Sequence, residues 1–190
     1  MRYILIVLLL AGALAEVQAQ KFGFGAETGL TAGRFSDNQF RRRFTYHFAA
    51  NTQTTLTPNV HLNLGVGYVR KGATTNVDGN ILNTGTNFNL DYLELALLAG
   101  FGPENFQLRI GPTYSFLIQA SFDGVVITDL INDQELGIKA GVFFKFWENE
   151  SAYFSINYYQ GLQDTNFDPE ERLTTNYFQL SLGYLLLANR

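Results

Sequence analysis

The 190-residue sequence contains no cysteine. Disulfides, thiolate metal sites, a cysteine nucleophile and a lipidated N-terminal cysteine are therefore excluded together. Charge is scarce as well. Lys, Arg, Asp and Glu make up 16% of the chain, against about a quarter in ordinary soluble domains. The net charge of -4 at pH 7 offers no basic footprint for nucleic acid, and no nucleic-acid partner is expected. Only one long apolar run exists, near the N-terminus, so nothing later in the chain reaches the length of a membrane-spanning helix. What the chain does have is 17 Phe, 10 Tyr and 18 Gly, with 46% hydrophobic residues overall. Aromatic and glycine enrichment at low charge argues against disorder and suits β-structure that faces an apolar medium.

The apolar run itself has the grammar of an export signal. Arg2 supplies a positive start, and Tyr3 to Ala15 form the hydrophobic stretch. Small residues follow at Ala13-Leu14-Ala15 or Val17-Gln18-Ala19, where a signal peptidase cuts. Glu16 and Gln18 interrupt the run too early for a spanning helix. Residues 1–19 are expected to be removed and residues 20–190 to form one domain, large enough for a sizeable core.

From Lys21 onward the dominant signal is a period of two, the mark of strands with two unlike faces. It recurs over Lys21–Gly33, Phe44–Thr54, Val60–Lys71, Asn89–Phe101, Phe106–Gln119, Gln134–Phe146, Ala152–Gly161 and Asn176–Leu186. In the third segment Val60, Leu62, Leu64, Val66 and Tyr68 oppose His61, Asn63, Gly65, Gly67 and Lys71. Pro112 interrupts the fifth segment and is expected to mark a bulge, since proline cannot donate to a ladder. No helix is expected after the signal. Short connections (Leu56–Asn59, Gly102–Asn105, Trp147–Ser151) alternate strictly with long polar ones (Arg34–Arg43, Gly72–Phe88, Ser121–Asp133, Leu162–Thr175). All the long connections thus fall at one end of a meander. The predicted fold is all-β: an eight-stranded antiparallel up-and-down transmembrane β-barrel with tight periplasmic turns and extended outer loops.

Alternation alone leaves the direction of the apolar face open. A secreted, soluble lipocalin-like barrel would turn it inward around a small apolar ligand, whereas a membrane barrel turns it toward lipid. The polar faces are rich in glycine and small residues, which suits a crowded eight-stranded interior better than a wetted surface. Aromatics such as Phe22, Phe44, Tyr68, Phe101, Phe106, Phe146, Phe154 and Phe178 fall near strand ends, where a membrane barrel carries its girdles. The membrane reading is therefore preferred, with the cell outer membrane of a Gram-negative bacterium as location. Outer-membrane lipids, lipopolysaccharide and the barrel assembly machinery are then partners. The long loops could engage a secretion system or an extracellular protein.

Several stretches resemble the PorT-like outer-membrane β-barrel family: Leu62-Asn63-Leu64-Gly65-Val66-Gly67-Tyr68-Val69-Arg70-Lys71-Gly72, Leu90-Asp91-Tyr92-Leu93-Glu94-Leu95-Ala96-Leu97-Leu98, Ile110-Gly111-Pro112-Thr113-Tyr114 and Phe178-Gln179-Leu180-Ser181-Leu182-Gly183-Tyr184. The resemblance implies an eight-stranded outer-membrane barrel with a secretion-linked or uncharacterised role and no transferable catalytic residue.

The candidate site residues are few. Glu27, Glu94, Arg109 and Lys139 fall on the inward faces and are expected to form a salt-bridged plug, because unpaired charge in a narrow interior is costly. A gated ion path through the same residues is the sharper alternative. Arg41, Arg42, Arg43, Arg70 and Lys71 place positive charge near the outer rim, where the phosphates of lipopolysaccharide lie. A lipid hydrolase needs a nucleophile and a base in contact near the outer leaflet. His61 lies at the opposite end, and His47 has only Thr45 as a same-face hydroxyl two residues away. The acidic loop residues Asp129, Asp133, Asp164, Asp168, Glu170 and Glu171 fit no calcium-loop spacing. Neither an enzymatic activity nor a cofactor or metal is expected.

Overall fold

A computed structural model describes residues 22–36, 40–75, 86–146, 151–163 and 174–187. The expected signal segment and the acidic residues Asp164, Asp168, Glu170 and Glu171 lie outside the described residues. Eight long strands form the wall: β1 (Phe22–Phe35), β2 (Phe40–Thr57), β3 (Val60–Thr75), β4 (Asn87–Phe101), β5 (Phe106–Phe122), β7 (Gln134–Lys145), β8 (Ala152–Gly161) and β9 (Thr175–Leu187). A two-residue strand, β6 (Val125–Val126), pairs only with the outer end of β5. Each long strand pairs antiparallel with its neighbour in the chain, and β1 pairs with β9 to close the ring. Closure leaves no long unpaired edge in the wall, which is what hydrocarbon demands of any strand that crosses it.

The alternation of the sequence appears as alternating exposure. On β1, Phe24 and Leu30 are exposed, while Gly23, Gly25 and Thr31 are buried. The same outward rows run round the wall through Leu62, Leu64, Leu95, Leu97, Leu108, Ile110, Ile138, Leu180 and Leu182. Phe44, at 74% exposure, is the extreme case. An apolar surface encircling every strand far exceeds the patches that soluble monomers expose. It belongs against lipid, and the soluble lipocalin-like alternative fails on this point. From Phe22 to Ala32 the outward row of β1 spans ten residues, which at the usual rise and tilt covers about 25 Å, the height of an outer-membrane apolar band.

The structure departs from the sequence-based expectations mainly at the outer end. Strand β2 begins at Phe40, β3 runs to Thr75 and β5 to Phe122, so the barrel stands taller than the alternation indicates. Arg41, Arg42 and Arg43 are accordingly wall residues rather than loop residues. The segment after β5 is also ordered. Asp123 (φ 49°) and Gly124 (φ 84°) make a two-residue turn into β6, the left-handed pair that a tight hairpin requires. A short 3-10 turn follows at Thr128–Leu130, where no helix was expected.

Pro112 does not produce a bulge. Its register with Ile138 is continuous. On the β4 side the pairing merely pauses between Ala96↔Thr113 and Ala99↔Ile110 without shifting, as a single missing donor permits. The register shift in this pair of strands falls instead beside Asp91 and Tyr92.

Candidate functional site: the barrel interior and its outer rim

Inward positions converge on a narrow space, where a charge or polar group left without a partner is costly. From the outer end downward, the first layer is apolar. Phe35, Phe88, Leu90, Ala73, Ala120 and Ile131 form one buried cluster, with Ile127 packed against it. Phe35 and Phe88 meet edge to face at 5.7 Å. The β5–β7 connection is folded back over this layer, with the Ile127 N–H donating to the Ala120 carbonyl at 2.9 Å and the Leu117 N–H to the Asp133 carbonyl at 2.7 Å.

Beneath it lies Lys71. Its Nζ donates to Glu135 Oε2 at 2.8 Å and sits 4.1 Å from the Tyr159 ring centre, 4.4 Å from Tyr92 and 5.4 Å from Tyr177. Tyr159 and Tyr177 stack at 4.5 Å. An ammonium ion surrounded by ring faces and one carboxylate regains much of the solvation it loses on burial. Thr175 also donates its hydroxyl proton to Glu135. Room for the rings comes from glycine: a Cβ on Gly137 would collide with Tyr159, and one on Gly183 with Tyr153.

The next layer holds two of the residues singled out from the sequence. Lys139 forms an ion pair with Glu94, and its Nζ also donates to Gln179 Oε1 at 3.2 Å. The Tyr177 hydroxyl donates to Glu94 Oε2 at 2.5 Å. Glu27 and Arg109 lie lower and are held differently. Tyr153 donates to Glu27 at 2.9 Å. Arg109 donates to Gln53 at 3.0 Å and to Gln107 at 3.1 Å, and its guanidinium lies 3.6 Å from the centre of the Phe143 ring.

Among the described residues no ion pair joins Glu27 to Arg109, so the four residues form one bridge and two neutrally solvated charges rather than a single four-membered plug. They do share a cavity of about 50 Å³, which Asn51, Asn63 and Asn157 also line, a size that accommodates a few waters. At the periplasmic end Phe143, Tyr153 and Leu185 close the interior, and Lys145 pairs with Glu104 at 2.6 Å.

His47 is better connected than its chain neighbours indicate. Its Nδ1 is 3.1 Å from Thr31 Oγ1 and its Nε2 is 3.0 Å from Ser181 Oγ, whereas Thr45 donates to backbone carbonyls. The cross-strand register that brings Ser181 to His47 is invisible in the sequence. The group resembles a hydrolase triad only in outline. Its third member is a threonine, and all three residues are at most 1% exposed, so no ester in the membrane reaches the serine. His61, at the periplasmic end, contacts the Gly102 carbonyl at 3.0 Å. Asp129 and Asp133 are exposed, and no group of three or more potential metal ligands occurs among the described residues.

The five basic residues assigned to the outer rim divide between two environments. Lys71 faces inward, as described, and Arg43 turns inward to donate to the Phe88 carbonyl at 3.3 Å. Neither can touch a headgroup outside the wall, a correction that follows from strand parity and from the greater height of β2 and β3. Arg41 and Arg42 are exposed. Arg70 faces outward and is bound to Asp91 through Nε at 2.6 Å and Nη2 at 2.8 Å.

This closed, lipid-facing ring defines an outer-membrane barrel of eight strands. The chain belongs to the outer membrane protein beta-barrel domain family, whose model matches residues 4–185. No curated relative matches the sequence. Similar solved structures include Neisserial surface protein A (13% identity, TM-score 0.56, 86% of this chain and 96% of that one) and a major outer membrane protein from Thermus thermophilus (16%, 0.55, 90% and 100%). A third is Ail, the attachment invasion locus protein of Yersinia pestis (12%, 0.52, 87% and 99%), solved with a heparin analogue. At these identities the likeness is one of fold. The protein is located in the outer membrane.

Proposed function

We propose that the protein is a closed, non-enzymatic outer-membrane barrel of the PorT-like kind, serving a structural, loop-displaying or secretion-accessory role rather than that of a porin. The observation that carries this reading is the outer layer of Phe35, Phe88, Leu90 and Ile131, packed above two buried ion pairs, the lower of which lines a cavity of about 50 Å³. An apolar constriction of this kind resists wetting and so resists ions. The burial of His47 and Ser181 away from any ester in the membrane gives hydrolysis no support. Export with cleavage before Gln20 belongs to the same reading, and the mass of the mature chain tests it. For the closed interior, the test is a planar-bilayer recording of the refolded full chain. The expected record shows no unitary conductance steps. Reproducible steps that disappear when Lys139 and Glu94 are exchanged for leucine would overturn it in favour of an ion path.

A further inference from the structure

Among the described residues, every basic side chain that leaves the interior lies at the outer end of three adjacent strands: Arg34 on β1, Arg41 and Arg42 on β2, and Arg70 on β3. On the other five long strands the residue at that boundary is Asp91, Gln119, Gln134, Gln160 or Asn176. One sector of the rim is thus cationic, while the remainder is mostly amide. Arg34 and Arg42 stand one outward position beyond the paired Ala32 and Phe44, at the upper edge of the apolar band, where headgroup phosphates lie.

The arginines differ in availability. Arg70 spends its fork on Asp91. Arg34, Arg41 and Arg42 have no acidic partner among the described residues. Arg42 is poised over Phe178, 5.2 Å from the ring centre, an arrangement that fixes the guanidinium while leaving its N–H edge for an anion.

A second, independent feature lies below them on the same strands. Ala26 and Thr28 on β1 and Ala50 on β2 make a shallow, open depression in the lipid-facing wall, bounded by Phe48, Leu182 and Tyr184. The Thr28 hydroxyl donates to the His47 carbonyl at 2.9 Å, so the floor of the groove asks for no polar partner. Six residues separate Thr28 from Arg34, which for a tilted strand is a depth of about 15 Å, within the reach of a single acyl chain.

We infer that this sector of the wall is a binding site for a phosphate-bearing lipid of the outer leaflet. Arg34 and Arg42, with Arg41 beside them, take the phosphate, and one acyl chain lies down the groove. The inference goes beyond the proposed role, and rests only on the placement of the barrel in the outer membrane.

The test uses the full chain refolded in detergent micelles and native mass spectrometry, with three probes: bis-phosphorylated lipid A, the same lipid with both phosphates removed, and inorganic phosphate. Lipid-facing substitutions are chosen so that the wall still forms, which the change in gel mobility on boiling verifies. The wild-type protein is expected to retain the phosphorylated lipid about tenfold better than the dephosphorylated one, as charge-assisted Arg–phosphate bonds imply. R34Q/R42Q should abolish that preference. A26L/A50L, which fills the groove, should weaken retention of both lipids. Equal retention of the two lipids by the wild-type protein would overturn the site. Displacement of the lipid by inorganic phosphate would overturn its assignment to a lipid, as would a dimer that A26L/A50L dissolves.

Discussion

Arg70 and Lys71 are adjacent in the chain and end in different media. Arg70 points outward and pairs with Asp91 on the strand next to it. Lys71 points inward and crosses the barrel to Glu135, 64 residues away. The two pairs should therefore behave differently. Replacing Lys71 with methionine leaves Glu135 buried without its cation and is expected to cost about 3–5 kcal/mol, with most of the loss recovered in Lys71→Met/Glu135→Leu. Arg70→Gln should cost less than that, because the Arg70 side chain is 32% exposed where Lys71 is 2%. Urea unfolding in lipid vesicles measures both, and equal losses would contradict the burial described. Parity was legible in the sequence: Lys71 shares a face with His61 and Asn63. Its partner was not, because pairing across the interior depends on the stagger of strands that are not neighbours, and alternation along one strand carries no record of it. The same holds for Ser181 beside His47.

Strand ends follow other rules. The alternation of β2 becomes blurred at Arg41–Arg43, where the pairing with β3 shifts register, so three successive arginines look like a loop although they lie in the wall. The hairpin after β5 was within reach of sequence reading, since Asp123-Gly124 is the dipeptide such turns favour. Its flanking residues, Ser121 and Phe122 against Val125 and Val126, are too few to show alternation. Between neighbouring strands, glycine makes room for tyrosine: Tyr153 is paired with Gly183, and Tyr159 lies diagonally beside Gly137. Gly137→Ala is expected to displace Tyr159 from its stack on Tyr177 and to cost about 1–3 kcal/mol, the range for an overpacked core. Tyr159→Leu in the same chain should return part of it. A loss in Gly137→Ala that Tyr159→Leu does not reduce would show that the glycine serves the backbone instead.

At the scale of the whole molecule, the arrangement inverts that of a soluble protein. Leucine and phenylalanine form the exterior, and Lys, Glu, Tyr and Gly fill the centre. Low charge, abundant aromatics and strict alternation of short and long connections indicated this from the sequence, because a membrane constrains every strand in the same way. The occupant of each interior layer was less legible, since it depends on which strands close the ring and at what stagger.

The absence of cysteine allows the central claim to be tested residue by residue. Single cysteines placed in turn from Phe106 to Phe116 on β5 in reconstituted vesicles, each carrying a nitroxide label, report contact with lipid through collisions with dissolved oxygen. Leu108, Ile110 and Phe116 should give high collision rates, and Gln107, Thr113 and Ser115 low ones, in a period of two. The opposite phase, or no period at all, would contradict a wall that turns its apolar rows to the membrane.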